Sequence, residues 1–171
     1  MNEFVGILFT ADSVRDDIVT RLLSDIVTMC KVEVLHGGSC QFTAKDAESI
    51  YPYLIGESFF LSMIRNITLG PSEYYLVEGN SAHTKINLAK GRFRQVHGDI
   101  EASGLRYKYR SGTLHELIMR GYTGTNLLDH LNEFRIHSTD TLAETCHFVS
   151  ICEPYGGPAS SILSQINTRV A

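Results

Sequence analysis

A short apolar run near the start of the chain, followed at once by a helical pattern, restricts the fold more than any other feature. Residues 4–9 read Phe-Val-Gly-Ile-Leu-Phe, a run typical of a buried strand. From Val14, apolar residues recur every three or four positions, at Ile18, Leu22 and Ile26, with charged residues between them. A strand joined to an amphipathic helix predicts a layered fold in which helices pack on a sheet.

Further strand and helix patterns follow along the chain. Residues 32–42 predict a strand or a bulged hairpin, broken by Gly37 and Gly38. The Thr43–Asp46 capping box predicts a helix to about Ile50. A helix over 59–69, a strand over 74–77 and a helix over 82–89 that ends at Gly91 are predicted next. From Arg92 to Gly124 the periodicity is lost and glycines recur, which predicts a long loop region.

The last part of the pattern completes the fold prediction. Residues 127–131 indicate a short helix and residues 134–137 a short strand, and Thr141 with Glu144 forms a capping box for a final helix. This order of elements is that of a ferredoxin-like βαββαβ fold, an α/β protein of the α+β sandwich type. We therefore expect a four-stranded antiparallel sheet covered by helices on one face.

Length, composition and charge exclude several classes of protein. A chain of 171 residues is about one domain. Its 43% hydrophobic and 20% charged residues are close to globular averages. A net charge of −4 argues against nucleic-acid binding. No apolar run approaches the roughly 18–20 residues that span a membrane, so no membrane partner is expected.

Four cysteines, at positions 30, 40, 146 and 152, bear on the compartment and on metal binding. No two of them have CxxC spacing, so we interpret them as small buried hydrophobic residues in a reducing compartment, with a zinc site as the alternative. The N-terminus lacks the basic region of a secretory signal. We therefore expect an intracellular, cytoplasmic protein.

Common catalytic and nucleotide-binding motifs are missing from the sequence. It contains no GxxxxGK[ST], no GxGxxG after a strand, no HExxH and no GxSxG. Six of the fifteen Lys and Arg residues lie between Lys90 and Arg110. This basic stretch is interpreted as a solvated loop, with phosphate binding or an interface as alternatives.

Short stretches in a characteristic order carry a resemblance to a known family. They are Thr10-Ala11-Asp12-Ser13-Val14 after the first strand, Tyr51 eight residues before Phe59-Phe60, then Gly70-Pro71, Glu78-Gly79, Gly112-Thr113-Leu114 and His137-Ser138-Thr139-Asp140. In their order and spacing, residues 4–152 resemble a nucleoside diphosphate kinase. The resemblance implies a domain over 1–153, with inserted loops at about 92–111 and 117–133, and a polar C-terminal tail over 154–171.

The resemblance also implies roles for individual residues. In the family, a histidine accepts the terminal phosphoryl group of a nucleoside triphosphate and passes it to a diphosphate, with Mg²⁺ accompanying the nucleotide. His137 matches that histidine, and Tyr51 the tyrosine beside it. Phe59 matches the phenylalanine on which the base stacks. Thr139 and Asp140 match the polar residues after the histidine.

The family's phosphate ligands are largely replaced in this chain. Its lysine corresponds to Thr10 and its two arginines to Asn87 and His115, while its threonine falls near Phe93 and its asparagine on Phe134. The glutamate that orients the histidine falls near Phe148, with Glu144 as the other candidate. Cations of the basic stretch could compensate from the first insertion: Arg92, Arg94, Arg106 and Arg110.

Two functional hypotheses follow from this pattern of matches and losses. The first is a binding or assembly module with a degraded phosphate site, weak nucleoside di- or triphosphate binding, and a protein partner held through the insertions. The second is a divergent active kinase acting through phospho-His137. An unrelated ferredoxin-like protein is the third interpretation. By analogy with the family we expect a homo-oligomer or a subunit of a larger assembly, which includes a cytoskeletal or ciliary one.

Overall fold

A four-stranded antiparallel sheet forms the centre of the computed structural model, which describes residues 2–96, 99–157 and 160–168. The described strands are β1 (Asn2–Phe9), β2 (Glu33–Cys40), β3 (Ser72–Asn80), β4 (Phe93–Val96), β5 (Asp99–Ala102) and β6 (Ile136–Ser138). The central sheet has the order β2-β3-β1-β6, and each pairing within it is antiparallel. The predicted fold class is confirmed.

Helices connect the strands and cover the sheet. They are α1 (Ala11–Arg15), α2 (Val19–Cys30), α3 (Ala44–Ile50), α4 (Phe60–Thr68), α5 (Ala82–Lys90), α6 (Gly104–Lys108), α7 (Leu114–Met119), α8 (Gly124–Leu131), α9 (Leu142–Cys152) and α10 (Ser160–Thr168), with 3₁₀ turns at Pro52–Leu54 and Glu153–Tyr155. Among the described residues, none of these helices combines the length and the apolar character needed to cross a membrane.

The helices lie on both faces of the sheet, so the expectation of one covered face is wrong. Val5, Ile7 and Phe9 of β1 pack with residues of α2 and α5. Leu8, which points to the opposite face, packs with residues of α3, α4 and α9. The physical reason is the continuous apolar run of β1, since a strand without polar alternation must be buried on both sides.

Local sequence signals work as predicted at the second strand and at the third helix. The register of β2 against β3 shifts between Val34 and His36, which is the expected bulge. A Cβ atom on Gly37 would lie 2.5 Å from the ring of Tyr75, so this position requires glycine. Thr43 and Asp46 form the complete capping box at the start of α3.

Both segments expected to be inserted loops contain regular structure. Residues 92–111 include the β4–β5 pair and α6, and residues 117–133 include all of α8 and the end of α7. Residues 97–98 of the first segment lie outside the described residues. The loop prediction is wrong because short elements leave little periodicity. One signal was available, since Thr113 and Glu116 form a complete capping box that begins α7.

The C-terminal segment, expected to be a polar tail, contributes to the core. Helix α10 places Ile166, which is fully buried, against Phe4, Leu76 and Val149. Residues 158–159 and 169–171 lie outside the described residues. Three apolar residues in a short helix that is otherwise polar, at positions 162, 163 and 166, give only a weak sequence signal for this contact.

Candidate functional site

His137 lies in β6, opposite Leu8 of β1, and its side chain is buried. The ring of Tyr51 packs edge-on against its imidazole, with 4.6 Å between the ring centres. Burial lowers the pKa of His137 well below its ordinary 6.5, and the positive charges of Lys90 and Arg106 lower it further. The imidazole is therefore neutral at pH 7, which is the protonation state of a nucleophile.

Two buried cations act on His137, one from α5 and one from the first insertion. Lys90 donates to the hydroxyl of Ser138 at 2.8 Å, and Asp140 lies 3.5 Å from its ammonium. Arg106 donates to the carbonyl of Ile136 at 2.8 Å. Burial lowers the pKa of Lys90 to about 8. The sequence predicts Arg106 as a compensating cation, whereas it marks Lys90 only as part of the basic stretch.

Aromatic rings fill the space beside this pair of cations. Phe134 lies 4.5 Å from Phe93 and 6.0 Å from Phe59, measured between ring centres, and the guanidinium of Arg106 lies 5.5 Å from the Phe134 ring. Tyr51 packs against the same ring at 6.4 Å. Phe59, the residue expected to stack on a base, therefore packs on Phe134 in this structure.

The cavity at His137 is small. It has a volume of about 30 Å³ and is also lined by Glu144 and Phe148. This is room for a water molecule or two, whereas small-molecule sites measure about 300–1,000 Å³. The imidazole thus meets almost no accessible space.

Polar residues predicted for the site form a hydrogen-bonded group around the end of β6. Asn87 donates to the carboxylate of Asp140 at 2.7 Å, and the carboxylate of Glu144 accepts from the backbone N–H of Asp140 at 2.8 Å. The hydroxyl of Thr139 accepts from the backbone N–H of Gly6 at 3.0 Å. In a standard capping box the Glu144 carboxylate would accept from the N–H of the N-cap residue, Thr141, but here it accepts from the residue before it. The hydroxyl of Thr141 still accepts from the N–H of Glu144.

Four of the residues proposed to bind phosphate lie elsewhere. The hydroxyl of Thr10 bonds to the carboxylate of Asp12, in a separate charged cluster. His115 is exposed on α7, Arg92 is exposed, and Arg94 pairs with Glu101 on the β4–β5 hairpin. The structure does not bring these four side chains to His137.

Sequence reasoning missed a buried ion-pair cluster around Arg135. Its guanidinium pairs with Asp16 and with Glu133, each at 2.6 Å, and lies 3.7 Å from Asp12. Arg15 pairs with the same Glu133 at 3.1 Å. Burial raises the pKa of both Asp12 and Glu133, which Arg135 counteracts. The sequence signal was an arginine inside the otherwise apolar run before His137, since buried arginine is almost always paired.

The residues around His137 do not form a magnesium site of their own. Among the described residues no group of three or more His, Cys, Asp or Glu side chains is arranged to hold a metal ion. Asp140, the nearest candidate, is already bonded to Asn87 and Lys90. Magnesium bound with a nucleotide takes most of its ligands from phosphate oxygens and water, so the expectation of Mg²⁺ depends entirely on nucleotide binding.

Burial of neutral His137 should make stability depend on pH. The folded state holds this imidazole unprotonated while the unfolded chain binds a proton below about pH 6.5, so the free energy of unfolding should fall as pH drops below 6.5. Urea unfolding at several pH values would measure this fall. The parent should lose more stability than His137→Gln, by at most about 1.4 kcal/mol per pH unit. Parallel curves for the two proteins would contradict the assignment.

Comparison with solved structures identifies the sheet-and-helix arrangement as that of a known group. The general class is the antiparallel α+β sandwich, and within it the fold is that of nucleoside diphosphate kinases. The enzyme of Borrelia burgdorferi, solved as a transition state mimic with bound vanadate and ADP, matches with a TM-score of 0.63 at 14% identity over 88% of this chain and 86% of that one.

Two further nucleoside diphosphate kinases match to a similar degree. The Aquifex aeolicus enzyme has a TM-score of 0.61 at 15% identity, covering 88% of this chain and 94% of that one. The Halobacterium salinarum enzyme, in complex with CDP, has a TM-score of 0.62 at 16% identity, covering 88% and 87%. No family model and no curated protein matches the chain in sequence. The fold is therefore shared although little of the sequence is.

Proposed function

We propose that this protein is a nucleoside diphosphate kinase-like binding or assembly module with little or no nucleotide turnover. The observation that carries the proposal is the burial of His137, which is 8% exposed and borders a cavity of only about 30 Å³. A phosphoryl donor must bring its terminal phosphorus to within about 3–3.5 Å of the attacking nitrogen. No such approach is open without displacing the surrounding side chains.

The neighbouring cations support the same conclusion, because several of their donors are already engaged within the protein. Lys90 bonds to Ser138, and Arg106 bonds to the backbone carbonyls of Ile136 and Gly91. Phosphoryl transfer requires donors that are preorganised toward the transferred group. A phosphate would have to replace these bonds and separate Arg106 from the ring of Phe134.

A divergent active kinase is the second candidate, and one observation favours it. A neutral imidazole lies beside two buried cations, and these could replace the lysine and arginines that the chain lacks. In that case the aromatic cluster of Phe59, Phe93 and Phe134 must open to admit a nucleotide. Weak nucleotide binding, with Mg²⁺ held by the phosphates, belongs to either proposal.

Incubation with radiolabelled ATP and magnesium distinguishes the two candidates. We expect no acid-labile phosphoprotein, and a coupled kinase assay in which the parent and His137→Ala have equal background rates. Loss of even one transition-state donor costs about 10²–10³ in rate. Label that appears rapidly on the parent and is absent from His137→Ala would establish the active kinase instead.

Exposed apolar side chains on the inserted elements support an assembly role. Ile118 and Met119 of α7 and Leu128 of α8 are 51%, 74% and 53% exposed. Exposed apolar side chains are enriched where a surface contacts another protein. We propose that this part of the insertion contacts a second copy of the chain, as a homo-oligomer or within a larger assembly.

Light scattering coupled to gel filtration would measure this association. We expect a mass above the monomer's 19.1 kDa for the parent, and a shift toward the monomer for Met119→Glu with Leu128→Glu. The matched control is Leu61→Glu with Leu88→Glu, which changes two leucines on α4 and α5 that are at least as exposed as Leu128. A monomeric parent, or an equal shift in the control, would contradict self-association through α7 and α8.

A further inference from the structure

An arginine-lined groove lies apart from His137, between the α1 region and both inserted segments. Its volume is about 420 Å³, and Arg15, Arg110, Arg120 and Arg135 all line it. That volume is within the range of small-molecule sites, about 300–1,000 Å³. His137 is not among the lining residues, so the groove is separate from the site discussed above.

Two of the four arginines are neutralised by carboxylates. Arg15 and Arg135 both pair with Asp16 and with the buried Glu133. Asp16 is the one carboxylate among the described residues that line the groove. The positive charge available to a ligand therefore comes from the other two arginines.

Arg110 and Arg120 form no ion pair within the part of the chain that the structure describes. The nearby carboxylate of Glu116 is engaged as a helix cap, where it accepts from the backbone N–H of Thr113 at 2.7 Å. That bond is the largest cause that lowers the pKa of Glu116. A hydrogen bond from the Thr113 hydroxyl and the positive charges of the two arginines lower this pKa further. Glu116 does not line the groove, so Arg110 and Arg120 are the lining arginines with no carboxylate at ion-pair distance among the described residues.

Contacts with the protein hold both guanidinium groups in place. Arg110 lies over the ring of Tyr107, 3.7 Å from its centre, and Arg120 donates to the carbonyl of Ser111 at 2.8 Å. A guanidinium has five N–H donors, so most of them remain for a ligand. Held in this way, the two groups lose little entropy when they bind an anion.

We propose that this arginine groove binds a small phosphorylated anion, with Arg110 and Arg120 as the phosphate ligands. The planar fork of donors on arginine matches the oxygens of a phosphate and binds it through two parallel hydrogen bonds. The proposal does not depend on whether His137 is active. It gives the inserted segments a ligand-binding role, which the site at His137 does not explain.

Titration with inorganic pyrophosphate, followed by ¹H–¹⁵N NMR, tests the groove. We expect saturable shifts at the amides of Ser111 and Arg120, and affinity at least about tenfold lower in Arg110→Gln with Arg120→Gln. The control is Arg21→Gln with Lys45→Gln, which removes two exposed cations elsewhere and should change affinity less than about twofold. Circular dichroism of each variant, including the single variants Arg110→Gln and Arg120→Gln, shows whether it is folded. A loss of affinity in a folded variant is then a loss of binding.

Two further ligands define the chemistry. If ADP binds more tightly than pyrophosphate and His137→Gln leaves that binding unchanged, the groove takes a nucleotide. If pyrophosphate binds more tightly than ADP, the natural ligand of the groove is a phosphate group without a nucleoside. Citrate should bind at least about tenfold more weakly than pyrophosphate. Absence of binding by the parent, equal losses in the control variant, or equal binding of citrate would overturn the proposal.

Discussion

Replacement of Arg135 by methionine should destabilise the protein by about 3–5 kcal/mol. Arg135 is 2% exposed and neutralises Glu133, Asp16 and, at longer range, Asp12. Methionine has a similar length but no charge, so two buried carboxylates would be left without their main counter-ion. Breaking a buried ion pair from one side has this cost because an uncompensated charge remains in the interior.

Urea unfolding near neutral pH would measure the effect, with Arg15→Met as the matched control. Arg15 pairs with the same Glu133, but its side chain is 53% exposed, so its loss should cost under about 1 kcal/mol. The backbone of Arg135 has a φ of 60°, a strain that methionine would share, so it does not enter the difference. A loss of less than 1 kcal/mol for Arg135→Met would show that the cluster is already compensated in another way.

The same variant should recover part of its stability in acid. Burial raises the pKa of Asp12 and Glu133, and both would rise further without Arg135. A carboxyl whose pKa is higher in the folded state than in the unfolded state gains stability as it is protonated. The difference in free energy of unfolding between parent and variant should therefore narrow as pH falls and these two carboxyl groups are protonated. A difference independent of pH would contradict the electrostatic explanation.

Replacement of Phe134 by alanine should open the histidine site at a cost of about 3–5 kcal/mol. Phe134 is 8% exposed and packs against Phe59, Phe93 and Tyr51. Removal of a buried phenyl ring loses its burial energy and leaves a cavity. The cavity would lie next to Tyr51, the ring that covers His137.

Modification of His137 by diethyl pyrocarbonate, located by mass spectrometry, would report the opening. We expect at least about a tenfold faster reaction in Phe134→Ala, because modification requires access to a neutral imidazole. The control is Phe42→Ala, which removes an equally buried ring that packs against Tyr155. It should cost similar stability without accelerating modification at His137. Equal acceleration in both variants would indicate general loosening of the core rather than local enclosure.

These two predictions concern different parts of the same segment. Residues 133–137 contribute Glu133 and Arg135 to the ion-pair cluster, and Phe134 and His137 to the enclosed site. Strict alternation would place His137 on the same side as Glu133 and Arg135. The φ of 60° at Arg135 interrupts the extended backbone, and Phe134 and His137 both pack against Tyr51. One short stretch therefore separates a charged interior from an aromatic one, and the two can be perturbed independently.

Much of the fold could be predicted because local patterns specify it. The apolar run of β1, the periodicity of α2, the bulge before Gly37 and the capping box at Thr43 each depend on neighbours close in the chain. Such signals survive when few other residues match a family, since they reflect backbone geometry and burial.

The inserted segments could not be predicted because their order comes from long-range contacts. Gly91 and Gly104 both have positive φ, and a Cβ on either would clash with the backbone of the other segment. This close approach holds α6 against the end of α5, and so brings Arg106 to Ile136. A pair of glycines thirteen positions apart gives no periodic signal.

From the sequence alone, the antiparallel α+β sandwich and the placement of His137 in a short strand could be determined. Tertiary structure alone decided which cations stand beside that histidine and how much space it has. Lys90 and Arg106 reach it from helices distant in sequence, while Thr10, His115, Arg92 and Arg94 do not. The physical reason is that strand and helix patterns are set by neighbours along the chain, whereas burial, ion pairing and cavity volume depend on segments that meet only when the chain is folded.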